Sequence, residues 1–160
     1  FLTYIPLLLD ENYRAEAYQI GIILSFSSVI TAITSSQLGK LNAYIRQKYL
    51  LIIAFGSYII SMISILFMPD IWYILISVFF FGLAQGINIP VVQSMLAGKA
   101  PIKIRAVFMS INGSVLRLGQ SLGPLVMGWI YLAFSISVTF IAASFIAVIM
   151  ILIVLLLIYK

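Results

Sequence analysis

Four stretches of this chain run for more than twenty residues without a charged side chain: residues 17–39, 49–69, 71–98 and 118–159. A helix that crosses a hydrocarbon core about 30 Å thick needs about 20 such residues. An ordinary water-soluble domain is about 25% charged, whereas charged residues make up only 8% of this chain and hydrophobic ones 64%. The solvent implied for most of the surface is therefore lipid. Continuous apolar runs replace the alternating ten-residue segments that a membrane β-barrel would need, so the fold class is an all-α polytopic membrane protein.

The run over 118–159 is 42 residues, too long for one crossing. Its polar break, Phe134-Ser135-Ile136-Ser137, predicts a turn there. Residues 106–116 are also apolar and join the following run across Arg117. Five complete spans follow, at about 17–38, 49–68, 71–96, 104–133 and 137–159. Residues 1–9 are apolar but too short to cross. With no basic segment before them they resemble no signal peptide, and they read as the tail of a preceding helix in a chain that is itself a fragment.

Charge sets the expected orientation. Lys40, Arg46, Lys48, Lys99, Lys103, Arg105 and Lys160 fall on one side, while Asp10, Glu11, Arg14, Glu16 and Asp70 fall on the other. The positive-inside rule places the first group in the cytoplasm, with the start of the chain outside and its C-terminus inside the cell membrane. Trp72, Tyr73, Trp129 and Tyr131 lie near the outer ends of their spans, as interfacial aromatics do. The +5 net charge is scattered between apolar runs and thus reads as topology, not as a nucleic-acid footprint. With no His and no Cys, the usual zinc, haem and iron–sulfur sites are excluded, and no cofactor is expected. An enzyme is likewise not expected, because no Asp, Glu or His lies within any span to form an acid/base pair.

Apolar surface gives helices in lipid little reason to associate, so small and polar residues mark their contacts and their water-filled paths. In the third span Gly82, Gln85, Gly86, Ile89 and Gln93 share a face, with Asn88 at its border and Pro90 freeing a carbonyl. One reading is a close-packing site at Gly82 and Gly86 tied by amides. The other is a water-lined path on which Gln85, Asn88 and Gln93 meet cargo. In the fourth span Ser110, Ser114, Arg117, Ser121, Pro124 and Gly128 form one stripe with Gln120 beside it, and Asn112, Gly119 and Gly123 form an opposite, packing face. Arg117 lies twelve residues after Arg105, or about 18 Å along a helix, where a charge is costly unless it meets water or a partner. It is the main candidate for contact with an anionic group of cargo or a carboxylate elsewhere. The plainer alternatives are snorkelling to the interface, or a helix that starts only near Leu118. Elsewhere, Gly21, Ser25, Ser28, Thr31 and Ser35 predict one contact face on the first span, and Ser57, Ser61 and Ser64 another on the second.

Gly39-Lys40-Leu41, with Arg46 and Lys48 following, resembles the loop motif that the major facilitator superfamily repeats between the second and third helices of each six-helix half. Gly82-Leu83-Ala84-Gln85-Gly86 with Pro90 resembles helix ten of that superfamily, and Ala100-Pro101 to Arg105-Ala106 with Ser110 resembles the start of helix eleven. Gly119-Gln120-Ser121-Leu122-Gly123-Pro124, with Gly128, is similar to the antiporter motif of helix five, whose pseudo-repeat is helix eleven. The resemblance covers the whole chain as the end of helix seven through helix twelve. It implies the C-terminal half of such a fold, packed against an N-terminal half around a midplane site. It further implies a secondary transporter, specifically an efflux carrier of small molecules driven by a proton gradient. In this reading Gly82, Gly86, Pro90, Gly119, Gly123, Pro124 and Gly128 permit close approach and bending, and protons are carried by residues outside this sequence. An ion-coupled uptake symporter uses the same polar path, and a scaffold subunit without transport would use the polar residues only as packing.

Overall fold

A computed structural model describes residues 1–158, and it holds six α-helices joined by short turns. Tyr159 and Lys160, including the last residue of the expected fifth span, lie outside the described residues. The first helix, α1 (Ile5–Tyr13), carries a proline in its opening turn, where the missing N–H costs nothing. It ends where Arg14 turns into the left-handed region at φ 48°. There α2 (Ala17–Tyr44) starts on a capping box, in which the Glu16 side chain and Gln19 each satisfy a backbone N–H of the other. Next comes α3 (Gln47–Ser64), whose end tightens into a 3₁₀ turn, Ile65–Phe67, before Pro69. The Asp70 carboxylate then accepts from the Ile71 N–H at 2.6 Å and opens the 3₁₀ turn that leads into α4 (Ile74–Lys99). Past Pro101 run α5 (Arg105–Ala133) and α6 (Ile136–Ile158). The turn expected at Phe134-Ser135 is present. Ser135 caps α6 there, its hydroxyl accepting from the Val138 N–H at 3.3 Å.

Four of these segments are long and apolar enough to cross a membrane: Ala17–Tyr44, Gln47–Phe67, Ile71–Lys99 and Ile136–Leu156. The fourth expected span, 104–133, is a helix of ample length, 29 residues in α5, but on composition it does not qualify. Its load of Ser110, Asn112, Ser114, Arg117, Gln120 and Ser121 dilutes the apolar content. The loop expected around Gly39 and Lys40 is also different, because both residues lie inside α2 and only Ile45 and Arg46 connect it to α3. Charges bound the apolar core of a helix, not the helix itself. Once the chain reaches the headgroups, water satisfies Lys40 and the hydrogen-bonded backbone continues.

The central helix is α4, which packs along α2 on one side and α3 on the other, and α6 packs along α3. Two apolar clusters fill the bundle. At the end carrying the acidic residues, Ile5, Leu9, Ile23, Ile74, Val78 and Phe140 meet, with Phe1 stacked on Phe81 at 4.0 Å between ring centres. At the basic end Leu38, Leu50, Ala54, Ile87, Val91 and Val154 meet. Between them the α3–α4 contact is polar: the Ser77 hydroxyl donates to the Ser61 carbonyl at 2.5 Å, and both side chains are buried. Ser57 is buried on the same face.

The contact face of α2 lies elsewhere than its serine pattern suggests. Ile23, Ser27 and Leu38 are buried and Thr31 is half-buried, whereas Gly21, Ser25, Ser28 and Ser35 are exposed. Small polar residues occur all round this helix, so their spacing alone does not single out a direction. At the acidic end Tyr13 donates to the Met68 carbonyl at 2.6 Å, which fastens α1 to the α3–α4 turn. Partial burial, and then the nearby Asp70 carboxylate, raises the Tyr13 hydroxyl above its ordinary range, so it remains a donor at neutral pH.

Candidate functional site

The small and the polar residues of α4 face different neighbours. Gly82 and Gly86 face α2 at a separation that leaves no room for a side chain. A Cβ on Gly82 would lie 2.8 Å from the Ser27 carbonyl oxygen, and one on Gly86 would lie 2.8 Å from that of Thr31. Thr31 uses this proximity, donating from Oγ1 to the Gly82 carbonyl at 3.2 Å while also reaching its own Ser27 carbonyl at 2.9 Å. On the side toward α5, Asn88 and Gln93 line a cavity of about 260 Å³. Asn112 of α5 closes it, and Phe55, Leu116 and Met150 give it apolar walls. Asn88 Oδ1 is buried there without a hydrogen-bond partner. A buried acceptor in that condition calls for a water or a ligand donor, and the cavity has space for either. Gln85 is half-buried on α4 and is not among the residues lining this cavity. Pro90 lies inside α4 with the helix continuous through it.

No residue of α5 is fully buried. Its half-buried side, which includes Met109, Asn112, Gly123, Pro124, Met127 and Gly128, turns toward the bundle. Ser110, Ser114, Arg117, Gln120 and Ser121 are exposed. The expected stripe is therefore split. Its first four members are uncovered, whereas Pro124 and Gly128 fall under α1: Tyr4 donates to the Pro124 carbonyl at 2.6 Å, and a Cβ on Gly128 would meet the Tyr4 hydroxyl at 2.9 Å. Asn112 and Gly123 lie on the packing side, but Gly119 is exposed. Neither Gly119 nor Gly123 has a neighbour within 4 Å of an added Cβ, so no close approach within the described residues demands a glycine there. Because α5 starts at Arg105, Arg117 sits in its fourth turn and not in a loop. All four acidic residues of the chain, at positions 10, 11, 16 and 70, lie toward the opposite end, and none pairs with it.

At the acidic end the Tyr131 hydroxyl donates to the Glu11 carboxylate. With the Tyr4 bond, this ties α1 to the end of α5. Neither link was legible in the sequence, since nothing in a short apolar segment signals which distant helix a tyrosine will reach. Asn112 had a signal, an amide inside an apolar run, but its position opposite the arginine suggested packing alone. At the basic end Arg46 joins Lys48 and Lys99 around a second cleft, while Gly39 stands in open space and Lys40 is exposed. Among the described residues no cluster of His, Cys, Asp or Glu is arranged to hold a metal ion.

A bundle of long apolar helices with a polar seam left uncovered on one rod is a multi-pass membrane protein of the carrier type. The chain belongs to the Major Facilitator Superfamily, whose family pattern matches residues 1–160, and this is a family of transporters and not of enzymes. It is 27% identical over 132 residues to the "Multidrug resistance protein MdtG" of Salmonella arizonae, and to the proteins of that name from Salmonella paratyphi B and Salmonella newport. Those matches cover 82% of this chain and 33% of each relative, so the chain spans about a third of the length of the curated relatives it matches. No solved structure matches it.

Proposed function

We propose that this chain forms the C-terminal half-bundle of a secondary carrier that exports small molecules across the cell membrane by alternating access, coupled to a proton gradient. The observation that carries this reading is the exposed face of α5. A helix bearing Ser110, Ser114, Arg117, Gln120 and Ser121 on an open side, with none of its residues fully buried, is poorly suited to face lipid. It is suited to face a second half of the same transporter across a water-filled path. On this reading the N-terminal half supplies the opposite wall and the titrating carboxylates. Arg117 and Gln120 supply charge and orientation to cargo, and Gln85, Asn88 and Gln93 supply hydrogen bonds from α4. Close packing at Gly82 and Gly86 holds α2 and α4 as one unit during the motion. The resistance named in the relatives MdtG supports drug-like compounds as cargo. The basic end, with Lys40, Arg46 and Lys99, faces the cytoplasm by the positive-inside rule.

The test is export from cells expressing the full-length transporter, with Arg117→Ala and Arg117→Lys at matched membrane abundance. Arg117→Ala should abolish cargo export, and Arg117→Lys should retain part of it. Export by Arg117→Ala at the unmodified rate would refute the role of this residue. Cells lacking the transporter that hold no more of any tested compound than cells possessing it would refute export itself.

A further inference from the structure

The basic end of the bundle holds a cavity that the cargo path does not use. There α2 ends at Tyr44 and α3 begins at Gln47, leaving Arg46 extended as the residue before the α3 helix. Lys99, far away in sequence, is the last residue of α4. These two junctions meet around one cleft of about 480 Å³, lined by Arg46, Lys48, Lys99, Asn42, Gln47 and Met95 among others. The Gln47 amide donates to the Ser94 hydroxyl at 3.0 Å, which holds the first turn of α3 against the last turns of α4 and fixes the width of the opening.

Three features specify an occupant. Arg46 and Lys99 bring two exposed cationic side chains to the cleft, and none of its described lining residues is acidic. Cations gathered around one cavity repel each other unless an anion joins them. The 18-residue helix α3 starts without a side-chain cap and without an acidic residue in its first turn, so the positive end of its dipole adds to the same field. Asn42 also lines the cleft, and its Oδ1 is buried with no hydrogen-bond partner. That acceptor needs a donor, and no side chain around the cleft supplies one. A ligand that answers both demands carries a phosphate and, beside it, a hydroxyl. The volume exceeds that of a lone phosphate, whose bulk is a few times the roughly 30 Å³ share of a water molecule. The cleft also lies where the apolar helices end, at the level of lipid headgroups.

We propose that this cleft binds the headgroup of an anionic phospholipid with a hydroxyl-bearing head, of the phosphatidylglycerol type. Arg46 and Lys99 hold the phosphodiester and Asn42 accepts from the headgroup hydroxyl. The site stands apart from the cargo path and does not depend on the direction of transport.

The experiment uses the purified full-length transporter in detergent, titrated with phosphatidylglycerol, with retained lipid measured by native mass spectrometry. Phosphatidylcholine, phosphatidic acid and soluble glycerol 3-phosphate are the comparison probes. Phosphatidylglycerol should be retained in preference to all three. A basic residue near a membrane surface contributes about 1 kcal/mol to holding an anionic lipid, so Arg46→Gln and Lys99→Gln should each weaken retention about fivefold, and together about 25-fold. Lys103→Gln makes the same charge change outside the cleft and should leave retention within about twofold. Asn42→Leu should erase the preference for phosphatidylglycerol over phosphatidic acid. Equal retention of phosphatidylcholine by the unmodified protein would overturn the proposal without recourse to any variant. So would Arg46→Gln and Lys99→Gln losses no larger than that of Lys103→Gln. Competition by glycerol 3-phosphate at the same concentration would overturn the lipid assignment in favour of a soluble phosphate ester.

Discussion

Replacing Gly82 with Ala adds one methyl group where α2 and α4 touch. Its carbon would stand 2.8 Å from the Ser27 carbonyl oxygen and 2.9 Å from Ile30 Cβ. Neither neighbour has an escape, since the first is backbone and the second branches at that carbon. Ordinary contact begins at 3.4 Å, so the helices must part by about 0.6 Å at this level. The Thr31 hydroxyl now reaches the Gly82 carbonyl at 3.2 Å, and the same movement carries that bond to about 3.8 Å, past the limit of a hydrogen bond. Overpacking of a tight contact costs about 1–3 kcal/mol, and a side-chain hydrogen bond between membrane helices contributes about 0.6 kcal/mol. The expected cost of Gly82→Ala is therefore about 1.6–3.6 kcal/mol. Gly86→Ala, with its carbon 2.8 Å from the Thr31 carbonyl oxygen, should behave alike. One separation of α2 from α4 relieves both clashes, so the double variant should cost much less than the sum. Unfolding of the full-length protein in detergent, followed by circular dichroism, measures these differences. Gly98→Ala is the internal reference, because nothing lies within 4 Å of its added carbon. If Gly82→Ala and Gly98→Ala unfold within about 0.5 kcal/mol of each other, the close approach of α2 and α4 is not a constraint and the reasoning fails.

The buried bond between α3 and α4 gives a smaller number: Ser77→Ala removes the donor to the Ser61 carbonyl and should cost about 0.6 kcal/mol in the same unfolding assay. Asn88 bears chiefly on function: its Oδ1 has no partner to lose, and its side-chain hydrogen bond with Tyr58 contributes about 0.6 kcal/mol. Asn88→Leu should leave stability within about 1 kcal/mol while reducing transport severalfold, and unaltered transport kinetics would remove Asn88 from the path. This chain contributes no cysteine of its own, so in a full-length carrier cleared of any other cysteines single substitutions report cleanly. Ser114→Cys and Ser121→Cys should react with a membrane-impermeant thiol reagent in the full-length carrier, whereas Ser61→Cys, at a position buried between helices, should not.

The distribution of charge was enough to find the helices and to sort their ends, because a charge in hydrocarbon is costly wherever the chain folds. The turn at Ser135 was equally legible, as the polar break in a run too long for one crossing. Helix length was not. Nothing in Gly39-Lys40 says that α2 continues to Tyr44, since the backbone keeps its hydrogen bonds in the headgroup region whether or not the side chains are apolar. The rotation of α2 was also hidden. Ser25 and Ser28 are exposed while Ser27 is buried, and serines of the same size on several faces carry no preference until a partner is present. Gly82 and Gly86 were legible as a close-packing pair because four-residue spacing of glycine admits few other uses, yet their partner was not. For the candidate path, the amides of α4 and the arginine of α5 were visible as polar groups in apolar runs. The meeting of Asn88 with Asn112, and the covering of Pro124 by Tyr4, depend on how distant helices cross.

The attachment of α5 is lopsided. Two tyrosines, Tyr4 and Tyr131, fasten it to α1 near Pro124 and Glu11, and most of its half-covered residues, from Gly123 to Tyr131, lie in that same portion. Toward Arg105, among the described residues, no hydrogen bond joins it to another helix. A rod pinned at one end pivots there, and the free end travels furthest. From Pro124 to Arg105 the lever is about 28 Å long, so a lean of only about five degrees carries the far tip sideways by about 2.5 Å. On the proposed carrier reading, a swing of this helix would open the basic mouth while the end held by Tyr4 stays fixed, with Arg117 on the moving part.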